Sequence, residues 1–400
     1  MIFATYWFVM SVAIFLPLYW LMPGSRLRLY LLLAFCFVFH AHFAGAAGMI
    51  PIIVLAAITF AIGRAEKKNL CLWGIVICAL ALCWYKYAHF LARDLIMPLN
   101  DSIGLDADRT FSSLLPLTPP LAISFFTFEF VHYLFEVRRG NPAIKSPLSF
   151  IAFTFFFPCL VAGPIKRYGQ FLPALEEGLR KPQSQMVALG LLQVAAGYAK
   201  KVMLADNLTV YIISMEPHFP YTDHCGRWLF LLALSLRIYF DFSGYSDIAI
   251  GFARMMGIEI PANFNWPYLA TSVRDFWQRW HISLSTWIRD YIYIPLGGSR
   301  RGQFFRLLNA TIAFAICGLW HGAAWHFVLW GLYHGAGLIV SSTYRKALGK
   351  GGAALGSLFD RLPVLAWVLT MIFVAFGWLL FFYPLKQALY MARLLMGGQV

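Results

Sequence analysis

Charged side chains are scarce. Aspartate, glutamate, lysine and arginine together make up 12% of the 400 residues, against roughly 25% in a soluble domain. Acidic residues are scarcer still, 18 against 32 lysines and arginines, which gives a formal net charge of +14. There is no low-complexity tail, no linker and no stretch polar enough to fold as a soluble domain. The excess of basic residues brings no aromatic-basic module of the kind that binds nucleic acid, and the cations sit in short loops between apolar runs, as in membrane proteins. The seven cysteines, at 36, 71, 78, 83, 159, 225 and 317, mostly lie inside those runs. None shows a metal-ligand spacing, so they read as small buried side chains.

What remains is apolar: 60% of residues are hydrophobic, and mean hydropathy is +0.67. A membrane span needs roughly 20 apolar residues, and several runs approach or exceed that. The chain reads as an all-α polytopic membrane protein. The first run, Ile2–Met22, lacks a basic leader and a small-residue cleavage site, so a retained helix is expected rather than a signal peptide. Runs at Leu29–Ala44, Ala47–Gly63, Leu70–Ala92 and Pro120–Glu136 follow. The intervening segments alternate basic, neutral, basic, acidic and basic. The acidic one, Arg93 to Thr110, holds four aspartates and two arginines. The positive-inside rule then puts the N-terminus outside and Arg26, Lys67 and Arg138 in the cytoplasm.

Beyond residue 140 the alternation weakens. Phe150–Gly163 is short and runs into Lys166-Arg167, the pattern of a re-entrant or broken helix. Met186–Met215 carries Lys200-Lys201 in mid-run and reads as an amphipathic helix plus part of a span. Trp228–Met256 looks interrupted at Asp241-Phe-Ser-Gly244. Phe304–Ile339 and Val364–Phe382 are apolar again, and Leu385–Met396 is a short last segment.

Four stretches carry chemistry. In Gly318-Leu-Trp-His-Gly322 an imidazole lies deep in an apolar run, where it must face protein or a cavity. Histidine is also the side chain best suited to acid–base work near neutral pH. The pattern recurs as Gly331-Leu-Tyr-His-Gly335. Within one unbroken helix, the 13 residues between His321 and His334 would turn the two rings about 220° apart. Each glycine pair permits close helix approach. The bland alternative for either histidine is a hydrogen bond to a neighbouring helix, and His326 reads as packing.

The second stretch runs from Arg274 to Asp290. Val273, Trp277, Trp280, Leu284, Trp287 and Tyr291 recur at helical spacing as an aromatic stripe bordered by His281. It reads as an interfacial helix with a tryptophan belt, one wall of a polar cavity, or both. Asp275, Arg279 and Asp290 lie off the stripe, and Asp275–Arg279 can pair at i, i+4. The third holds Arg237, Asp241 and Asp247, with Asp241 set to pair with Arg237, and Asp247 on the face of Arg254. Carboxylates in an apolar segment are functional candidates; struts holding a broken helix are the alternative. In the fourth, Glu129, His132 and Glu136 share a face. A single Glu-x-x-His is a weak metal signal, and no metal is expected.

Together, Asp241-Phe-Ser-Gly-Tyr-Ser-Asp247, Asn263-Phe-Asn-Trp-Pro-Tyr268, Arg274-Asp-Phe-Trp-Gln-Arg-Trp-His-Ile-Ser-Leu-Ser-Thr-Trp287 and Tyr293-Ile-Pro-Leu-Gly-Gly298 resemble the membrane-bound O-acyltransferase family. Leu121-Ala-Ile-Ser-Phe-Phe-Thr-Phe128, Leu160-Val-Ala-Gly-Pro-Ile-Lys-Arg-Tyr168 and the His321 motif extend the likeness over most of the chain. It is strongest toward members that O-acetylate alginate. The resemblance implies 10–13 transmembrane and re-entrant helices around a central funnel, within one membrane domain. That domain would comprise N-terminal spans (1–140), a funnel core (141–345) and C-terminal spans (346–400). It places the family's invariant histidine on His321 and its second recurrent polar residue on His281. Trp280, Trp320, Asp275, Arg279, Asp290, Asp241 and Asp247 would line or support the cavity. Two features depart from the pattern: Glu129 stands where relatives commonly carry an amide, and the sequence ends at Gly397-Gly-Gln-Val400, sooner than many alginate-type relatives, so a C-terminal span or two is expected to be missing or dispensable.

The activity so implied is transfer of an acetyl group across the bacterial inner membrane for O-acetylation of an exported polysaccharide such as alginate. Acetyl-CoA would serve as donor substrate and no bound cofactor is expected. His321 would act as general base, with an acyl-histidine as the variant. An exported SGNH-hydrolase-like acetyltransferase would be the partner that completes transfer. The rivals are D-alanyl transfer to teichoic acid and a transporter or export channel. A transporter would be expected to show an inverted repeat, and the sequence contains none.

Overall fold

The computed structural model describes residues 2–96, 115–116, 118–180 and 184–399. The acidic segment's Asp101, Asp106 and Asp108 lie outside the described residues. Among the described residues the structure is helical, with no β-strand. Among the described residues, five helices are long and apolar enough to cross a membrane: Ser25–Ala65, Lys68–Asp94, Ser184–Tyr221, Gln303–His321 and Pro363–Phe382.

The chain forms two compact units. The first comprises Met1–Ala195 and Tyr245–Pro261. It opens with α1 (Tyr6–Leu21), capped by Thr5, whose hydroxyl accepts from Phe8 N–H. Next comes α2 (Ser25–Ala65), whose helical backbone breaks at Gly45, with φ 63° and ψ 175°. Leu33 and Phe37 before the break line the same cavity as Ile53 and Phe60 after it. A straight helix rising about 1.5 Å per residue could not bring them together. The chain therefore reverses at Gly45, and the two runs expected on either side of it are the arms of a helical hairpin. α3 (Lys68–Leu82) continues through π-helical turns to Ile96. α4 (Ile123–Arg138) packs on it closely enough that a Cβ at Gly74 would lie 2.7 Å from Leu134.

α5 (Pro147–Thr154) covers only the start of the Phe150–Gly163 run. From Phe155 to Arg167 the chain has little regular structure beyond one short 3-10 turn, yet Phe156, Phe157, Leu160 and Lys166 are buried. Of the re-entrant or broken helix expected, this is a break, with protein covering the irregular backbone. Lys166 Nζ donates to Glu129 Oε1, and the two side chains are only 1% and 7% exposed. Lys166 also lies over the rings of Phe153 and Phe171. His132 Nε2 accepts from Tyr168 N–H at 3.1 Å, and Glu136 pairs with Arg139 at 3.3 Å. The three residues that shared a face thus have separate protein partners. α6 (Tyr168–Arg180) completes this part of the unit, with Leu179 O accepting from Arg28 at 2.9 Å.

α7 (Ser184–Tyr198) continues without interruption through a π-helical turn at Ala199–Ala205 to Met215, a single helical run rather than two pieces. α8 (His224–Met255) contributes its C-terminal part, from Tyr245, to the first unit and the rest to the second. It corrects the expected interruption at Asp241: the helix is continuous. Lys201 reaches Asp241 at 2.7 Å, neutralising the carboxylate in place. Gly244 lies so close to Gly197 that a Cβ would be 2.8 Å from its carbonyl. Arg237, expected to pair with Asp241, instead donates to Thr209 Oγ1 at 3.2 Å. Asp247 and Arg254 are joined through Gln193 at 3.1 and 2.9 Å.

The second unit comprises Ala196–Gly244 and Ala262–Val400. The tryptophan-rich stretch forms two short helices, α9 (Val273–Arg279) and α10 (Ile282–Ile288), not one. The Phe304–Ile339 run likewise divides into α11 (Gln303–His321) and α12 (Trp325–Ala347). Gly322 and Ala324 between them are extended, at φ −167° and −156°. α13 (Gly349–Arg361), α14 (Pro363–Phe382) and α15 (Leu385–Leu395) follow.

The two small-residue faces bring α11 and α12 together. A Cβ on Gly318 would lie 2.1 Å from Phe327 O, and one on Gly331 2.1 Å from Phe314 O. Because the obstacle is backbone, no rotamer change relieves it. Gly331→Val is therefore expected to cost more than the roughly 1–3 kcal/mol of ordinary overpacking. Thermal unfolding in detergent checks this, with Gly351→Ala, which meets nothing within 4 Å, leaving the midpoint unchanged.

Candidate active site

His321 is the last residue of α11. The negative end of the helix dipole therefore lies beside it, where positive charge is stabilised. The break at Gly322–Ala324 frees the imidazole from the continuing helix and turns the chain back. The break also removes the opposite faces that His321 and His334 would take on one unbroken helix. Both rings lie against Trp330, each with centroids 5.0 Å from it.

Around His321 stand Trp320 at 4.8 Å, Trp330 at 5.0 Å and Phe381 at 5.2 Å, all edge-on. These walls are apolar and close, yet His321 is only half-buried. His281 and His334 are 1% and 0% exposed. Of the three imidazoles, His321 is the one a substrate can reach.

His281 also neighbours the Trp320 ring, centroids 6.0 Å apart, with Phe242 edge-on at 4.6 Å. It occupies the break between α9 and α10 in a left-handed conformation, φ 42°. Such geometry in a residue with a Cβ is strained and persists only where its surroundings enforce it. Those surroundings are Asn263 and Trp280. Asn263 O accepts from Ile282 N–H at 2.9 Å, and Asn263 Oδ1 accepts from the Ser283 hydroxyl at 2.7 Å. Trp280 O accepts from the Ser285 hydroxyl at 3.2 Å. Burial, with a further contribution from His321, holds His281 well below the usual histidine range, so its imidazole is neutral near pH 7. Neither ring nitrogen has a hydrogen-bond partner.

Trp280 belongs to an adjoining aromatic layer with Tyr268, Phe276 and Trp378. Its ring lies 4.9 Å from Trp378 and 5.5 Å from Phe276. Tyr268 ties the layer together by accepting from Trp378 Nε1 at 3.1 Å and donating to Ser235 O at 2.6 Å. The whole predicted stripe, from Val273 to Tyr291, is buried even though the helix breaks in its middle.

The carboxylates are placed differently. Asp275 pairs with Arg279 at 2.7 Å, as the i, i+4 spacing indicated. Asp290 pairs with the adjacent Arg289 at 2.7 Å, and Asp241 with Lys201. Asp247 belongs to the first unit. The structure thus brings His281, Trp320 and His321 into one cluster and pairs Asp241, Asp275 and Asp290 with Lys201, Arg279 and Arg289. His326 Nδ1 is 3.2 Å from Leu380 O, a packing role. Among the described residues, no three histidines, cysteines, aspartates or glutamates gather as a metal-ligand set.

Sequence reasoning did not single out Asn263, Tyr268, Trp330, Trp378 and Phe381. Asn263→Ala removes the acceptor shared by the buried Ser283 N–H and hydroxyl, a loss of about 1–3 kcal/mol. A lower unfolding midpoint together with weaker turnover is the expected outcome.

A model of the membrane-bound O-acyltransferase family matches residues 80–385. A probable alginate O-acetylase AlgI from Pseudomonas aeruginosa is 36% identical over 386 residues, covering 92% of this chain and 69% of that protein. A peptidoglycan O-acetyltransferase from Helicobacter pylori is 33% identical over 344 residues, covering 80% and 62%. A teichoic acid D-alanyltransferase from Bacillus subtilis is 30% identical over 276 residues, covering 65% and 68%.

Proposed function

Because the chain belongs to the membrane-bound O-acyltransferase family, we propose that it moves an acetyl group from a cytoplasmic thioester, acetyl-CoA, across the bacterial inner membrane for O-acetylation of an exported polysaccharide. The carrying observation is the site itself: one reachable imidazole at a helix end, walled by Trp320, Trp330 and Phe381. His321 Nδ1 or Nε2 takes the proton from an acceptor hydroxyl. The hydroxyl oxygen attacks the thioester carbonyl, the carbon–sulfur bond breaks, and the proton passes to the departing thiolate. The aromatic walls keep water from competing as acceptor. Neutral, buried His281 acts through Trp320, positioning that wall of the site. Trp280 and its layer hold that wall, and the Asp275–Arg279 pair braces α9.

The direct acceptor is a hydroxyl of an exported SGNH-hydrolase-like acetyltransferase, which passes the group to the polymer. The alternation of basic and non-basic loops favours an extracytoplasmic N-terminus. A D-alanyl thioester donor is the second reading, favoured by the teichoic acid relative. Two experiments separate these readings. Purified protein offered labelled acetyl-CoA or a D-alanyl carrier thioester should cleave the first and spare the second. A deletion strain should still export its polymer, without acetyl groups. Loss of export itself would favour a channel.

A further inference from the structure

The first unit carries an open cavity of about 340 Å³ that acyl transfer does not use. It lies between the two arms of α2 and against α5, lined by Leu33, Phe37, Ile53, Ala57, Phe60 and Ile151 among others, every one apolar. Its volume falls in the range of small-molecule sites. Phe37, Ile53 and Ile151 remain 55%, 42% and 40% exposed, so the groove opens sideways along the hairpin.

One end is charged. Ile53, Ala57 and Phe60 recur at helical spacing, and the next position on that stripe is Arg64. Arg64 Nη1 donates to Lys145 O at 2.7 Å, which fixes the guanidinium beside the chain that enters α5. Two residues on, Pro147 lines the cavity. Arg64 and Lys145 are both exposed. An apolar trough with two cations at one end complements a molecule with an apolar tail and an anionic head. A tail wrapped by three helical segments also gains dispersion contacts on several sides, which a tail against a convex helix does not.

We propose that this groove is a binding site for an anionic phospholipid, its acyl chain between the arms of α2 and its phosphate at Arg64 and Lys145. The test is the phospholipid retained by the full-length protein after purification in mild detergent from membranes holding phosphatidylglycerol and phosphatidylcholine. The wild type should retain phosphatidylglycerol in about tenfold excess over its membrane share, and inorganic phosphate should not displace it. Ala57→Phe fills the groove and should remove the retained lipid. Arg64→Gln with Lys145→Gln keeps a donor for Lys145 O and should abolish the preference for phosphatidylglycerol while the folded protein still retains some lipid. Equal retention of the two lipids by the wild type overturns the proposal. So does retention unchanged by both variants.

Discussion

His321→Ala is expected to lower acyl transfer by about 10²–10⁴-fold, the usual contribution of a positioned general base. The side chain ends a helix and is half-buried, so its removal should leave the fold intact. An unfolding midpoint near that of the wild type would confirm this. His326→Ala supplies the contrast. It removes a hydrogen bond to Leu380 O, worth about 0.5–1.5 kcal/mol, and should leave kcat within a few-fold of the wild type. Steady-state turnover of labelled donor measures both. Equal losses in the two variants would mean that His321 is a packing histidine too.

Lys166→Met should destabilise the protein by about 3–5 kcal/mol, because it leaves the buried Glu129 carboxylate without its cation. Glu129 Oε2 already lacks a partner, so nothing nearby takes over. Glu129→Gln with Lys166→Met removes both charges and should recover most of the loss. Equilibrium unfolding of the two single variants and the double variant gives the coupling. Simple additivity would contradict a paired role. The pair joins α4 to the irregular segment after α5, which accounts for a buried carboxylate at Glu129.

Much of this was written in the sequence. Apolar run length located the spans, and a segment without Lys or Arg between two runs marked the reversal at Gly45. The repeated glycine pairs signalled close helix approach, though not that the run divides and packs on itself, and an imidazole in an apolar run drew attention to His321. The breaks at His281 and Gly322 were not legible, because a buried helix and a buried bend carry the same apolar residues. Asp241 was assigned the wrong partner for a related reason. Helical spacing shows which residues share a face, but Lys201 arrives from another element altogether. Tyr268, Trp378 and Phe381 reach the aromatic cluster from segments remote in sequence, and only the folded chain brings them there.

The central claim is that His321, as general base, lets a hydroxyl from one side of the membrane take the acyl group of a donor on the other. Sealed proteoliposomes holding labelled acetyl-CoA inside and the exported partner protein outside test it most directly. We expect label on the external protein with the wild type and none above background with His321→Ala. Label confined to the donor's compartment, or external labelling that survives the substitution, would contradict the account.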